Sequence, residues 1–223
     1  MGQMQSQDEG AADMRQVEAA RYALLRRLTM AMRHQMVVHL QPIGLVGELM
    51  ERRLRQPKPD LAQLGDSMDQ VQDFARAGVD ASLDYVTWLA PEPGVDIPLD
   101  AGVDECVRLL RSAFSFRGLA LRSAVGDWPQ PVSRSALRVL LPAVLFALTE
   151  DAVAPADVVV SAQVDARGRL LLEVNVQRGA GSAGQAAPAS YRPLSWIEVE
   201  QLARSEGVEL TRTADSTSLR WPA

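Results

Sequence analysis

Apolar residues recur three and four positions apart from about Ala12 to Arg55. With Leu28 set at zero and about 100° per residue, Leu24, Leu25, Met32, Met36, His39, Ile43, Val46, Met50 and Leu54 fall within an arc of roughly 120°. This spacing predicts one long amphipathic helix. The run Gln56-Pro57-Lys58-Pro59-Asp60 ends it, and Asp60 caps a second helix. There Leu61, Leu64, Met68, Val71, Ala75, Gly78, Ser82, Tyr85 and Leu89 alternate three and four apart as a heptad seam. Two such helices joined by a short loop form an antiparallel hairpin. One hairpin cannot bury two apolar faces of this length, so pairing with a second copy into a four-helix bundle is expected.

The pattern changes after Ala90-Pro91-Glu92-Pro93-Gly94, which reads as a linker. Short strands are expected near 97–99 and 119–125, with a helix over 101–118 between them. Ser133 caps a helix over 134–152, and 158–164 and 170–177 form a hairpin across Asp165-Ala166-Arg167-Gly168. A last helix over 195–206 stops at Gly207, and two strands near 209–213 and 218–221 close the chain. The fold class is α+β: a dimerising helical hairpin followed by an α/β sandwich with helices on one face of a mixed sheet. The expected organisation is an unstructured stretch 1–11, a hairpin domain 12–89, a linker 90–95 and a C-terminal domain 96–223.

Composition narrows the chemistry. The 223 residues carry a formal charge of -5, which argues against general nucleic-acid binding. Lys58 is the sole lysine, so neither a P-loop lysine nor a lysine Schiff base is available. Cys106 is the sole cysteine, so no internal disulfide forms, and two histidines are too few for a typical structural zinc site. The N-terminal residues lack the basic and apolar regions of a signal peptide, and no stretch approaches the roughly 20 apolar residues that span a bilayer. A soluble, cytoplasmic protein without a membrane anchor is expected.

The chemically distinctive string is Met32-Arg33-His34-Gln35-Met36-Val37-Val38-His39-Leu40-Gln41-Pro42-Ile43. His39 falls inside the apolar stripe and reads as a core or interface histidine. His34 falls roughly opposite the centre of that stripe, facing solvent, with Val38, Gln41 and Leu45 on its side. Helix geometry by itself leaves a solvated side chain and a phosphoryl-accepting imidazole equally open. In the hairpin, Ala81 and Ser82 are expected level with His34, among small residues (Ala75, Gly78) that suit close helix approach. Arg33 and Arg76 are either solvated charges or neighbours of a bound phosphoryl group.

The segment resembles the histidine box of two-component histidine kinases and related phosphotransferases, with His34, Met36, Leu40 and Ile43 in matching places. Gln35 stands where that family has an acid, and an amide cannot take the imidazole proton during autophosphorylation. Pro42, displaced from the common pattern, is expected to bend the helix near Val38. Residues 96–222 resemble the kinases' ATP-binding domain with its chemistry worn away. Asp151 replaces the magnesium-binding asparagine, and Gln177 before Gly179-Ala180-Gly181 replaces the adenine-recognising aspartate. Residues 182–190 fall where a nucleotide lid would lie, and Thr213-Ala214-Asp215-Ser216-Thr217 lacks the glycines of a phosphate loop.

The resemblance implies a phosphorelay histidine phosphotransferase: a dimeric bundle with a degenerate kinase-type domain and no nucleotide cofactor. His34 would take a phosphoryl group from the aspartyl phosphate of one response-regulator receiver domain and pass it to another. The receiver would supply magnesium, and Arg33, Val37, Val38, Gln41 and Leu45 would form the docking face. The alternative is a non-catalytic pseudokinase scaffold that docks a receiver or a kinase through the same face. An ATP-dependent kinase is the third reading, disfavoured by three worn motifs.

Overall fold

The computed structural model describes residues 2–90, 94–179 and 191–222. The chain divides into two compact units, Thr29–Glu92 and Met1–Leu28 with Pro93–Ala223. Helix α1 (Gly2–Leu54) runs through both, and α2 (Leu61–Leu89) completes the first. The expected unstructured stretch 1–11 is helical from Gly2 onward. Nothing between Gln3 and Glu9 breaks a helix, and Gly10 alone costs only about 1 kcal/mol. The helix also continues through Pro42 to Leu54. The domain boundary differs too, because the first half of α1 belongs with the C-terminal unit.

Within Thr29–Glu92 the two helices are joined by a turn over 55–60, and Asp60 caps α2 by accepting from the amides of Ala62 and Gln63. Arg53 donates to Ser67 Oγ at 2.9 Å, tying the helix ends beside the turn. Gly78 is buried, and a Cβ there would meet Leu40 Cδ2 at 3.3 Å and His39 Cβ at 3.8 Å. A larger side chain there would press on Leu40, so the glycine eases the close approach of the helices. The heptad positions of α2 split cleanly. Leu64 and Gly78 are buried and Val71 and Tyr85 half-buried, while Leu61, Met68, Ala75 and Leu89 stay exposed. One half of the seam is covered by α1; the other has no cover within the hairpin.

In the C-terminal unit, β1 (Asp96–Pro98) pairs antiparallel with β3 (Pro131–Ser133). A five-stranded sheet is built from β2 (Leu119–Ser123), β4 (Ala156–Val164), β5 (Leu170–Arg178), β6 (Glu209–Arg212) and β7 (Ser216–Arg220). Its order is β2-β4-β5-β7-β6, with β2 and β4 parallel and the other pairs antiparallel. Alternate residues Val158 and Val160, Leu172 and Val174, and Thr217 and Leu219 are buried. Against them pack α3 (Leu99–Phe116), α4 (Arg134–Leu148) and α5 (Trp196–Ser205).

Helix α4 sits at the centre. Ser133 caps it as expected, through the amide of Ala136, but the helix ends at Leu148 rather than near Ala152. The reason is local: Thr149 closes the last turn with its hydroxyl on the Leu145 carbonyl, and Arg117 donates to both Thr149 oxygens. Residues 136–138 and 140–146 are all buried, so α4 has no solvent face, as a helix apolar on every side requires. Its polar exception, Arg138, is paired with Glu105, which also binds Arg134. Part of the cover is unforeseen. Ala20, Ala23, Leu24 and Leu28 of α1 are buried in this unit, with Arg27 placed 4.8 Å over the Phe146 ring and ion-paired to Glu150 at 2.6 Å.

Candidate functional site

His34 lies on α1 within the hairpin unit, two turns beyond the point where the helix leaves the C-terminal unit. It is half-buried, not fully open as its helical phase predicted. Helical phase describes α1 by itself, so it overstated the exposure. His39 is also half-buried, at the α2-facing side where its Cβ borders Gly78. The contacts at Gly78 and Arg53 fix the helix register, which brings Ala81 and Ser82 opposite Met36 and leaves His34 level with Asp84. The expected level was therefore off by less than one turn. Of the small residues, Gly78 alone is buried, Ala81 and Ser82 are half-buried, and Ala75 is exposed.

The residues read from sequence as a docking face lie on the surface of α1. Arg33, Val37, Val38, Gln41 and Leu45 are all exposed, Val38 at 48% and Leu45 at 59%. Val38, Gln41 and Leu45 share the flank of α1 that carries His34, while Val37 and Arg33 lie round toward the opposite flank. His34 thus shares one flank of the helix with two exposed apolar side chains and one polar one. Arg76 is exposed on α2.

Two of the worn motifs of the C-terminal unit, Asp151 and the turn after Arg212, come together. A cavity of about 330 Å³ is lined by Asp151, Trp196, Arg212, Thr213 and Asp215, with Ala147, Leu148 and Val176 behind them. Two carboxylates thus stand at this wall. The cation lining it, Arg212, lies 4.9 Å over the Trp196 ring and 4.0 Å from Glu200. The turn over 213–216 is closed by Thr213 and Ser216, each amide donating to the other residue. Such a lining sets two carboxylates beside the Arg212 guanidinium, and like charge disfavours a polyphosphate there. Gln177 is exposed on β5 and is not part of the lining, and residues 182–190 lie outside the described residues. Among the described residues no group of three or more His, Cys, Asp or Glu is placed to hold a metal ion.

The electrostatics are concentrated away from both places. Glu198 completes a capping box with Ser195 and pairs with Arg192, and these bonds hold its carboxyl down at about 2. Burial lowers the Arg117 guanidinium, with Glu150 acting in the opposite direction and Arg27 in the same one. Sequence reasoning missed this arginine cluster. Its signal was the length of α1, 53 residues against 29 in α2, which leaves the early apolar positions Leu24 and Leu28 beyond the reach of the hairpin partner.

No protein-family model matches the chain, and no curated protein is significantly similar to it. Among the described residues no helix is long and apolar enough to cross a membrane. Solved structures of histidine kinases align with it. Acinetobacter baumannii AdeS aligns over 80% of this chain and 92% of its own, at 14% identity and a TM-score of 0.38. The blue-light activated kinase EL346 of Erythrobacter litoralis aligns over 82% and 62%, at 17% and 0.44. A Burkholderia phymatum histidine kinase aligns over 89% and 95%, at 18% and 0.42. Superpositions this loose do not assign the chain to a family; the fold rests on its own elements, a helical hairpin followed by an α/β sandwich.

Proposed function

We propose that this chain is a histidine phosphotransferase of a bacterial two-component phosphorelay, homodimeric through its hairpin, with His34 as the phosphoryl acceptor. The observation that carries the reading is the setting of His34: a histidine on a rigid helix, flanked by exposed Val38, Gln41 and Leu45. A bare solvated histidine needs no such apolar surround, whereas a docking face does. A neutral ring nitrogen of His34 attacks the phosphorus of a receiver's aspartyl phosphate in line. The N–P bond forms as the P–O bond to the aspartyl carboxylate breaks, and the carboxylate leaves with the bonding pair. The reverse step on a second receiver regenerates the imidazole. Magnesium belongs to the receiver in this scheme, and this chain contributes a positioned nucleophile.

Gln35 is no obstacle to such a transfer, because no base is needed to prepare a neutral imidazole. The carboxylate-lined cavity supports the absence of a nucleotide cofactor. Calorimetry with ATP and magnesium is expected to show no saturable heat at micromolar concentration; uptake of the γ-phosphate would restore the kinase reading.

One observation favours the second reading, a pseudokinase scaffold: His34 is half-buried, and Val37, Val38 and Leu45 would dock a partner without it. The two separate on a single pair of measurements. His34→Ala is expected to leave receiver binding unchanged and abolish phosphoryl transfer. Transfer retained by the variant, or a wild type that binds receivers and never takes phosphate, decides for the scaffold.

A further inference from the structure

The two edges of the five-stranded sheet are finished differently. At β6, Glu209 and Arg212 are exposed, and Arg169 and Arg220 both donate to Glu209, so charge lines that edge. At β2 the run from Leu119 to Ser123 holds no proline, no lysine and a single charge, on Arg122. β2 stands at the end of the strand order, paired with β4 alone among the described strands. The Ala156 amide donates to the Gly118 carbonyl at 3.4 Å and the Ala124 amide to the Val160 carbonyl at 2.7 Å, which sets the phase of this parallel ladder. The backbone groups of Gly118, Ala120, Arg122 and Ala124 therefore face β4. Those of Leu119, Leu121 and Ser123 face outward, where no described strand meets them.

The outward side opens into a groove of about 770 Å³, walled by β2 itself and by Asp104, Arg111 and Ser115 of α3. β2 contributes about 16 Å of edge to it. Leu119 and Leu121 are buried, while Ala120 and Arg122 are exposed on the opposite face, so the polar groups along the edge are those of the backbone. Donors and acceptors alternate there. That alternation matches another extended backbone and not a small anion, which takes donors only.

Charge decides which backbone. Arg111 is exposed and makes no hydrogen bond or ion pair among the described residues, whereas Arg122 is turned to Asp157 at 2.8 Å. Arg111 is thus the cation left for an occupant. Asp104 lies about 10 Å earlier along α3, and it disfavours a second acid at that level. Because α3 turns directly into β2 at Gly118, Arg111 stands nearer the Leu119 end of the strand and Asp104 nearer the Ser123 end. We propose that the free edge of β2 is a docking site for an extended segment of a partner protein, which adds to the sheet as a further strand with one acidic side chain on Arg111 and uncharged side chains around it. The site shares no residue with the surroundings of His34 or with the cavity at Asp151.

The test uses the full chain and a fluorescein-labelled heptapeptide with threonine at its odd positions, valine at the second and sixth, and glutamate at the centre. Fluorescence polarisation is expected to show saturable binding with a Kd on the order of 100 μM, as a short added strand with one charge contact warrants. Arg111→Glu should weaken that binding about tenfold and make the chain prefer the same peptide with a central lysine. Amide exchange followed by NMR should slow at Leu121 and Ser123 when the glutamate peptide binds, and methylation of alternate peptide nitrogens should abolish both effects. No saturation up to about 1 mM overturns the proposal. Binding that leaves the β2 amides unprotected, or that is indifferent to Arg111→Glu, overturns it as well. Protection of these amides without peptide, rising with protein concentration and lost in Arg111→Glu, assigns the edge to a second copy of the chain and also overturns it.

Discussion

Around Phe114, Leu137, Leu140 and Leu141 the C-terminal unit buries its large side chains completely, whereas along residues 29–92 Leu40, Leu61, Met68, Val79, Leu83 and Val86 stand about half exposed or more. Both regions are rich in apolar residues, so composition does not separate them. Geometry does. A sheet with helices on one face closes a core within one chain, and α4 can be apolar on every side because β5, β7, α3, α5 and α1 surround it. Two antiparallel helices offer each other only one stripe. Exposed apolar residues remain on both helices, among them Met36, Leu40 and Leu54 of α1 and Leu61, Met68 and Leu89 of α2, more than one hairpin covers. The sandwich closes a core within one chain, whereas the hairpin leaves apolar side chains uncovered.

The largest expected effect follows from this asymmetry. Leu40→Glu combined with Met68→Glu removes two apolar anchors from each copy, on the order of 6 kcal/mol or more per dimer at roughly 1.5–3 kcal/mol a side chain. Light scattering should show a wild-type homodimer and a monomeric variant, with the C-terminal unit still folded by near-ultraviolet circular dichroism. A wild-type monomer of 24.3 kDa at micromolar concentration breaks the comparison outright.

The converse change belongs in the sandwich. Phe114 is fully buried and 6.1 Å from the Phe146 ring. Phe114→Ala should cost about 3–5 kcal/mol in denaturant unfolding without changing the oligomeric state. Loss of the dimer in this variant would show that the two units do not stabilise themselves separately.

The smallest effect is electrostatic and sharpens the picture at one helix end. Glu198 titrates from the ordinary 4.5 down to about 2 because Arg192 and the Ser195 hydroxyl and amide bind its carboxylate. A depressed carboxyl contributes stability that is complete above 4.5 and is lost as pH falls toward 2. Glu198→Ala should cost about 1 kcal/mol at neutral pH and flatten the stability profile in that acid window. Equal acid sensitivity in variant and wild type would place the titration elsewhere.

Much of this architecture was legible in the chain. Period-3.6 patterning gave both long helices, Asp60 and Ser133 marked helix starts by side-chain oxygen, and Gly207 marked the end of the last helix. What failed was local competition and long-range cover. Thr149 and Arg117 end α4 a turn early through contacts 32 residues apart, which no window of sequence contains. The short β3 escaped because Pro131 and Pro129 around it read as breakers. The docking of α1 on the sandwich was readable in part, since an all-apolar α4 demands cover and α1 is too long for α2. At the candidate site the sequence singled out His34 and the exposed residues beside it, and it overstated the opening of His34, because helical phase describes one helix by itself.

The central claim is that His34 carries phosphate. The chain is incubated with phosphorylated receiver domains, separated, and examined by phosphorus NMR with mass-spectrometric localisation. The account predicts an acid-labile, base-stable phosphoramidate on His34 in the wild type and none in His34→Ala. A wild type that binds the receivers yet shows no phosphoramidate, or one that carries it on His39, contradicts it.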